Sequence, residues 1–187
     1  MNDPNRQHFE QRPAINKIIV IGSGGAGKSI LAQQMGDILG LPVFHLDALF
    51  WHPGWIETHK PEWREKQRRL VAQDQWIIDG NYGGTIDLRL AACDTAVFLN
   101  FSRWVCLFRI VKRYIQYRNR TRPDMGDGCR ERLSLQYVKW VWNYPKANAP
   151  RIAKQLADVA AAKTVITLRS PRAVRRFLQD LRRDDDL

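Results

Sequence analysis

The chain has 187 residues, with 30 Lys and Arg against 19 Asp and Glu, a formal net charge of +11. Its 44% hydrophobic and 26% charged content is that of one folded domain and excludes wholesale disorder. Three widely spaced cysteines, Cys93, Cys106 and Cys129, exclude a disulfide scaffold and a zinc-ligand spacing. No apolar run reaches the roughly 18 residues of a membrane span, and the polar start MNDPNRQHFEQRP lacks signal-peptide shape, so the expected setting is the cytoplasm, without membrane.

Residues 1–14 read as a flexible arm and 15–183 as a single domain. KIIVI (17–21) is a short β-branched run, the mark of a buried strand. Glycines break it, and a helix follows to about Leu39, stopped by Gly40 and Pro42. VFHL (43–46) is a second strand and 51–60 a loop. A helix starts at Pro61 and runs to about Gln73. WII (76–78) is a third strand, ending at Asp79-Gly80, and TAVFLNF (95–101) a fourth. Ser102 caps a helix running through Tyr117. Residues 118–132, polar and rich in Arg, with Pro123, Gly126 and Gly128, form a loop. A Trp-rich helix covers about 131–143, closed by Pro145, and another covers about 151–161. TVITL (164–168) is the fifth strand. Ser170-Pro171 starts the last helix, with Val174, Phe177, Leu178 and Leu181 on one face. Strands alternating with helices predict an α/β fold, a parallel sheet covered on both faces, with its ligand site at the carboxyl ends of the strands.

Gly22-Ser23-Gly24-Gly25-Ala26-Gly27-Lys28-Ser29 matches G-x-x-x-x-G-K-[ST] between a strand and a helix. Glycines let the backbone turn several N–H groups into one concavity, and the helix adds its positive N-terminal end. Lys28 is placed to reach the β- and γ-phosphates of ATP, and the Ser29 hydroxyl to ligate Mg²⁺. Asp79, at the end of QWIID, is the expected second metal group; the other reading is a turn former, since Asp-Gly is a turn dipeptide. Asp47, placed at the end of the second strand, would orient an acceptor hydroxyl or take its proton, or else cap a turn. His45 reads as packed beside the strand. Trp51 and Trp55, around a Pro-Gly turn, would stack on an acceptor ring or pack the core. Trp140 and Trp142 would pack the sheet or the lid helix.

The charge is lopsided. Residues 1–102 hold 10 Lys and Arg against 11 Asp and Glu; residues 103–187 hold 20 against 8. The basic half calls for a phosphate-rich partner, a nucleotide, a nucleic acid or a phosphorylated metabolite. Arg109 and Arg113 share a helix face, and Arg118, Arg120 and Arg122 follow in the loop. Guanidinium groups suit the spread charge of a transferring phosphoryl group, so 118–132 reads as a lid over ATP, mobile until a triphosphate orders it. No DNA-reading motif is visible, yet a nucleotide-regulated DNA-binding protein is the alternative function.

Taken together, GSGGAGKS, HLDALFWHPGW, WIIDGNYGG, RTRPDMG and the WNYP segment resemble the bacterial DNA topology modulation proteins (FlaR-related), in the adenylate-kinase-like branch of phosphate-loop proteins. The resemblance covers about residues 16–180. It implies a three-layer kinase fold with a five-stranded parallel sheet in the order 2-3-1-4-5 and an Arg-rich lid. Asp79-Gly80 matches the start of the adenylate kinase D-G-F-P-R segment, with Asn81-Tyr82 in place of Phe-Pro; Arg89 stands further along. Arg109-Ile110-Val111-Lys112-Arg113 matches R-I-V-x-R, which implies Arg109 along the adenine of ATP and Arg113 on its phosphates. The early acceptor-phosphate arginine has no counterpart, and Asp47 stands near its place. The implied enzyme is an ATP- and Mg²⁺-dependent kinase that phosphorylates a small-molecule or nucleoside/nucleotide acceptor, leaning to a hydroxyl acceptor, its catalytic residues Lys28, Asp47 and Arg113.

Overall fold

The computed structural model describes residues 15–185; the arm expected over 1–14 lies outside the described residues. The main sheet is built from β1 (Lys17–Gly22), β2 (Val43–His45), β5 (Trp76–Asp79), β6 (Thr95–Leu99) and β7 (Thr164–Leu168). All neighbours are parallel, in the order β2-β5-β1-β6-β7. Counted along these five strands the order is 2-3-1-4-5, as expected.

The three central strands show why the apolar runs were continuous. β5 and β6 are buried at every residue, and β1 at every residue but Lys17. A parallel strand covered on both faces needs apolar side chains on both. Ile18 and Val20 point into a layer built with α1 (Lys28–Leu39) and α8 (Pro171–Asp185). Ile19 and Ile21 point into the opposite layer, with α3 (Lys60–Val71), α4 (Ile86–Ala92) and α7 (Ala149–Val159). All four are fully buried, each contributing about 1.5–3 kcal/mol. The result is a three-layer α/β domain. No helix among the described residues is long and apolar enough to cross a membrane.

Helix caps fell where serines allowed. Ser102 caps α5 (Arg103–Tyr117) by accepting from the Val105 N–H. Ser134 caps α6 (Leu135–Ala147) by accepting from the Tyr137 N–H at 3.1 Å. The Trp-rich helix therefore starts four residues later than expected. It also runs through Pro145 instead of closing at it. Pro145 lies in the last turn, where its missing N–H removes one bond while Val141 and Tyr144 stay buried on either side of the chain.

The segment after β2 departs most from expectation. The strand stops at His45, and α2 (Leu46–Phe50) begins at once. The loop 51–60 contains a small antiparallel hairpin, β3 (Trp51–His52) and β4 (Ile56–Glu57). Its turn puts Gly54 and Trp55 in the left-handed region, at φ 78° and 66°. Trp55 is held there by its indole N–H, which donates to the Arg130 carbonyl at 3.0 Å.

Candidate functional site

The carboxyl ends of β1, β2 and β5 converge on one spot. Gly22 leads into the phosphate loop, and α1 starts at Lys28 with Gly27 as its left-handed N-cap, φ 96°. Gly25 has φ +76°, and a Cβ there would strike the Cys106 carbonyl and Ile110 of α5. A side chain is excluded on both counts, so α5 packs directly on the loop. Gly24 lies under the Tyr137 hydroxyl of α6, where a Cβ would collide. The Lys28 ammonium donates to the Ser23 carbonyl at 3.2 Å. Arg109 donates to the Ala26 carbonyl at 2.9 Å, and its guanidinium lies 5.4 Å from the Phe101 ring centre. Lys28, Ser29 and Arg109 are therefore gathered at the loop.

Asp79 is in register with His45 across β2 and β5. It is buried, and both its oxygens are used. Oδ2 accepts from the Ser29 hydroxyl at 2.8 Å. Oδ1 lies 2.7 Å from His45 Nδ1. That hydrogen bond raises the His45 pKa above its ordinary 6.5, against the opposing effect of burial. Asp79 is thus more than a turn former, and His45 more than packing. An oxygen pair of this kind, one hydroxyl and one carboxylate at the head of a phosphate loop, fits a hard cation such as Mg²⁺, which takes few protein ligands beside water and phosphate oxygens.

The turn after β5 is braced from within. The Asn81 amide donates to the Gly22 carbonyl at 2.8 Å and accepts from the Gly22 N–H at 3.1 Å. It ties this turn to the first residue of the phosphate loop. Arg89 is fully buried and donates to the carbonyls of Gly80, Asn81 and Tyr82, at 2.7, 2.6 and 3.2 Å. Burial pushes its guanidinium down to about 10. Its fork therefore holds three backbone oxygens in place.

Asp47 does not end a strand. It lies in the first turn of α2, exposed, and accepts from the Tyr82 hydroxyl at 2.7 Å. Burial and the Asp47 charge raise the Tyr82 pKa, so the phenol keeps its proton and donates. Tyr82 also lines a cavity of about 260 Å³ with Asn81, Gly83, Trp140, Tyr144 and Arg151. Arg151 brings a guanidinium against Gly83.

The segment 118–132 is more anchored than its composition suggests. Arg122, Met125, Cys129 and Glu131 are buried. Glu131 lies at the centre: its carboxylate is 2.9 Å from Arg113 Nε and 2.7 Å from Arg122 Nε. Arg122 also pairs with Asp124 at 2.9 Å. The Cys129 thiol donates to the His52 carbonyl at 3.2 Å, and Arg132 lies 4.4 Å from the Trp55 ring centre. Trp55 and the His52 carbonyl thus hold segment 118–132 against the hairpin, and Trp51 packs edge-on against Trp55. Trp142 is exposed against Trp104 rather than packed on the sheet.

His45, Asn81, Tyr82 and Glu131 were not singled out as site residues. Glu131 had one signal, being a lone acid between Arg130 and Arg132.

No protein-family model matches the chain, and no curated relative does. Solved structures do. Shikimate kinase from Acinetobacter baumannii, in complex with shikimate, superposes with a TM-score of 0.54 at 15% identity, covering 94% of this chain and 93% of that one. A gluconokinase from Sinorhizobium meliloti 1021 gives 0.52 at 13% identity, covering 94% of each. At such identities the likeness is one of fold, and the fold is that of phosphate-loop kinases.

Proposed function

We propose that the chain is a phosphotransferase that moves the γ-phosphoryl group of ATP to a hydroxyl of a small-molecule acceptor. The observation that carries this reading is the Ser29–Asp79 oxygen pair at 2.8 Å beside Lys28 of the phosphate loop. A glycine-rich anion cradle alone binds phosphate; a cradle with an adjoining cation site positions a triphosphate for transfer.

Backbone N–H groups of 22–29 and Lys28 hold the β- and γ-phosphates. Ser29 and Asp79 would hold Mg²⁺. The metal, when bound, supplies charge neutralisation on the phosphate oxygens. Arg109 borders the nucleotide where it leaves the loop. Asp47, steadied by Tyr82, orients the acceptor hydroxyl and receives its proton. The bond from the γ-phosphorus to the bridging oxygen breaks, the bond to the acceptor oxygen forms, and ADP leaves. Arg113 is available to the γ-phosphate only if it leaves Glu131. Positioning and electrostatics supply most of the acceleration. The likeness in fold to a shikimate kinase and a gluconokinase supports an acceptor that is small and hydroxyl-bearing. Arg151 in the cavity beside Tyr82 favours acceptors that also carry an anionic group.

The test is an ATP-consumption screen over nucleosides, nucleotides and anionic or neutral sugar-like metabolites, each run with Lys28→Ala as control. One acceptor class should give stoichiometric ADP and phosphorylated product with the parent and none with the variant. Absence of transfer to every class, together with salt-sensitive DNA binding, would move the assignment to a nucleotide-regulated DNA-binding protein.

A further inference from the structure

The helix that braces the phosphate loop has a second face that none of the described residues covers. On α5, Cys106 and Ile110 are buried and Arg109 points to the loop. On the opposite side, Trp104, Phe108, Val111 and Ile115 are 44 to 71% exposed. Their spacing is 4-3-4, that of alternating d and a positions in a heptad, and so of a helix seam that expects a second helix. α6 runs antiparallel beside α5, with Trp142 against Trp104 at 5.1 Å and Tyr137 beneath Arg113. It extends the face with Trp142 and with Leu135, itself 89% exposed. Scattered exposed apolar residues need no explanation, but six on one side of one helix pair form a contiguous patch, and such patches mark binding surfaces.

We infer that this face is the interface of a homodimer, in which the α5 helices of two copies pack antiparallel across a two-fold axis. Three observations select a second copy. First, the 4-3-4 spacing reads the same in both directions, so an antiparallel mate presents matching positions: Trp104 meets Ile115, and Phe108 meets Val111. A two-fold contact requires such self-complementarity. Second, the exposed parts of these six side chains, three aromatic and two long aliphatic ones among them, come to several hundred Å² a side, on the order of the roughly 800 Å² per partner of a standard stable interface. Third, the seam is flanked by Val105, Leu107, Lys112 and Tyr114. Lys112 is the one charge there, and the antiparallel arrangement sets it beside Val105 of the second copy.

Charge gives the inference a sign. Neither α5 nor α6 contains an Asp or Glu, while they carry Arg103, Lys112, Lys139 and Lys146. Two such faces repel through their rims. Screening relieves this within about 8 Å at physiological salt, so the dimer tightens as salt rises. An anionic lipid surface or an acidic protein would be held by the same cations and would weaken as salt rises.

The test is sedimentation equilibrium of the full chain at micromolar concentration, at low and at physiological ionic strength. A monomer–dimer equilibrium that strengthens with salt is expected. The double variant Phe108→Glu/Ile115→Glu should raise the dissociation constant at least tenfold and leave Tm and far-UV dichroism unchanged, since both side chains are solvent-exposed. The same runs are repeated with vesicles of phosphatidylglycerol. A protein that is monomeric in both salts, a dimer indifferent to the double variant, a dimer that dissociates as salt rises, or a monomer that co-sediments with the vesicles would each overturn the inference. It is independent of ATP use, so failure of the phosphotransferase assignment leaves it standing.

Discussion

Lys28 in the phosphate loop donates to one backbone carbonyl, that of Ser23, whereas Arg113 and Arg122 at the lid segment both pair with buried Glu131. Both regions are turns that carry glycine and cations, and both border the carboxyl edge of the sheet. The phosphate loop rests its cation on a backbone carbonyl rather than on an acid, because only backbone shape is needed to hold it, and glycine supplies that shape. The lid segment has no such scaffold. It obtains its order by neutralising its own Arg122 and Arg113 of α5 on one carboxylate and by burying Met125 and Cys129. A cation held by an acid is not free for phosphate, so density of arginine alone overstates how much charge a ligand meets.

The largest effect that separates the two regions is at Lys28. Lys28→Ala should lower ATP-dependent turnover by about 10²–10³-fold, the scale of removing one preorganised charge from a transfer site. It should leave Tm within a degree or two, because the Ser23 carbonyl that loses the ammonium keeps the Ala26 N–H as its donor. Steady-state kinetics and a thermal melt check both halves. Equal turnover would mean that the Lys28 charge is not used, and the contrast would lose its meaning.

Asp79→Asn should cost less, roughly tenfold, and should show as a raised Mg²⁺ requirement. The amide keeps the size and the contact with Ser29 but loses the charge that draws a cation. A Mg²⁺ titration of turnover decides it; an unchanged half-saturation would reduce Asp79 to a brace between Ser29 and His45.

The lid is probed at Glu131. Glu131→Gln leaves two guanidinium groups against a neutral amide, which should cost about 2–3 kcal/mol. For a chain of this length each kcal/mol lowers Tm by roughly 2–4 °C. Hydrogen exchange should quicken over 118–132 and stay unchanged over 22–29. If both segments loosen together, the two regions are one cooperative unit.

The same contrast governs what the sequence could reveal. The phosphate loop was legible because its chemistry is local: eight consecutive residues between a strand and a helix specify it. The sheet was legible because fully buried parallel strands must be apolar on both faces. Asp79 beside Ser29 followed from strand-end position. The pairs that escaped are long-range, with His45 and Asp79 34 residues apart, Asp47 and Tyr82 35 apart, and Arg113 and Glu131 18 apart. No periodicity encodes such a pairing. Arg89 escaped for another reason: a fully buried arginine that donates to backbone carbonyls is indistinguishable, in a list of residues, from one aimed at substrate. The continuation of α6 through Pro145 depended on burial of Tyr144, which tertiary packing alone decides.

The smallest expected effect is the dependence on pH, and it again divides the two regions. The His45–Asp79 contact raises the His45 pKa in the folded chain above the ordinary 6.5. Folding therefore favours the protonated imidazole. The stability it contributes is complete below 6.5, and it is lost as pH rises through the raised folded-state value. A single charge-assisted hydrogen bond of this kind, partly open to solvent, is worth about 1 kcal/mol, or a few degrees in Tm. The lid has no counterpart, because guanidinium groups keep their charge throughout this range. Melts should be taken from below 6.5 to well above it, for the parent, His45→Gln and Glu131→Gln. The Tm difference between parent and His45→Gln should shrink as pH rises. The difference between parent and Glu131→Gln should stay constant. A shrinking difference for both would place a titrating group at the lid, and a constant one for His45→Gln would show that the imidazole is neutral across the range and gives Asp79 orientation without charge.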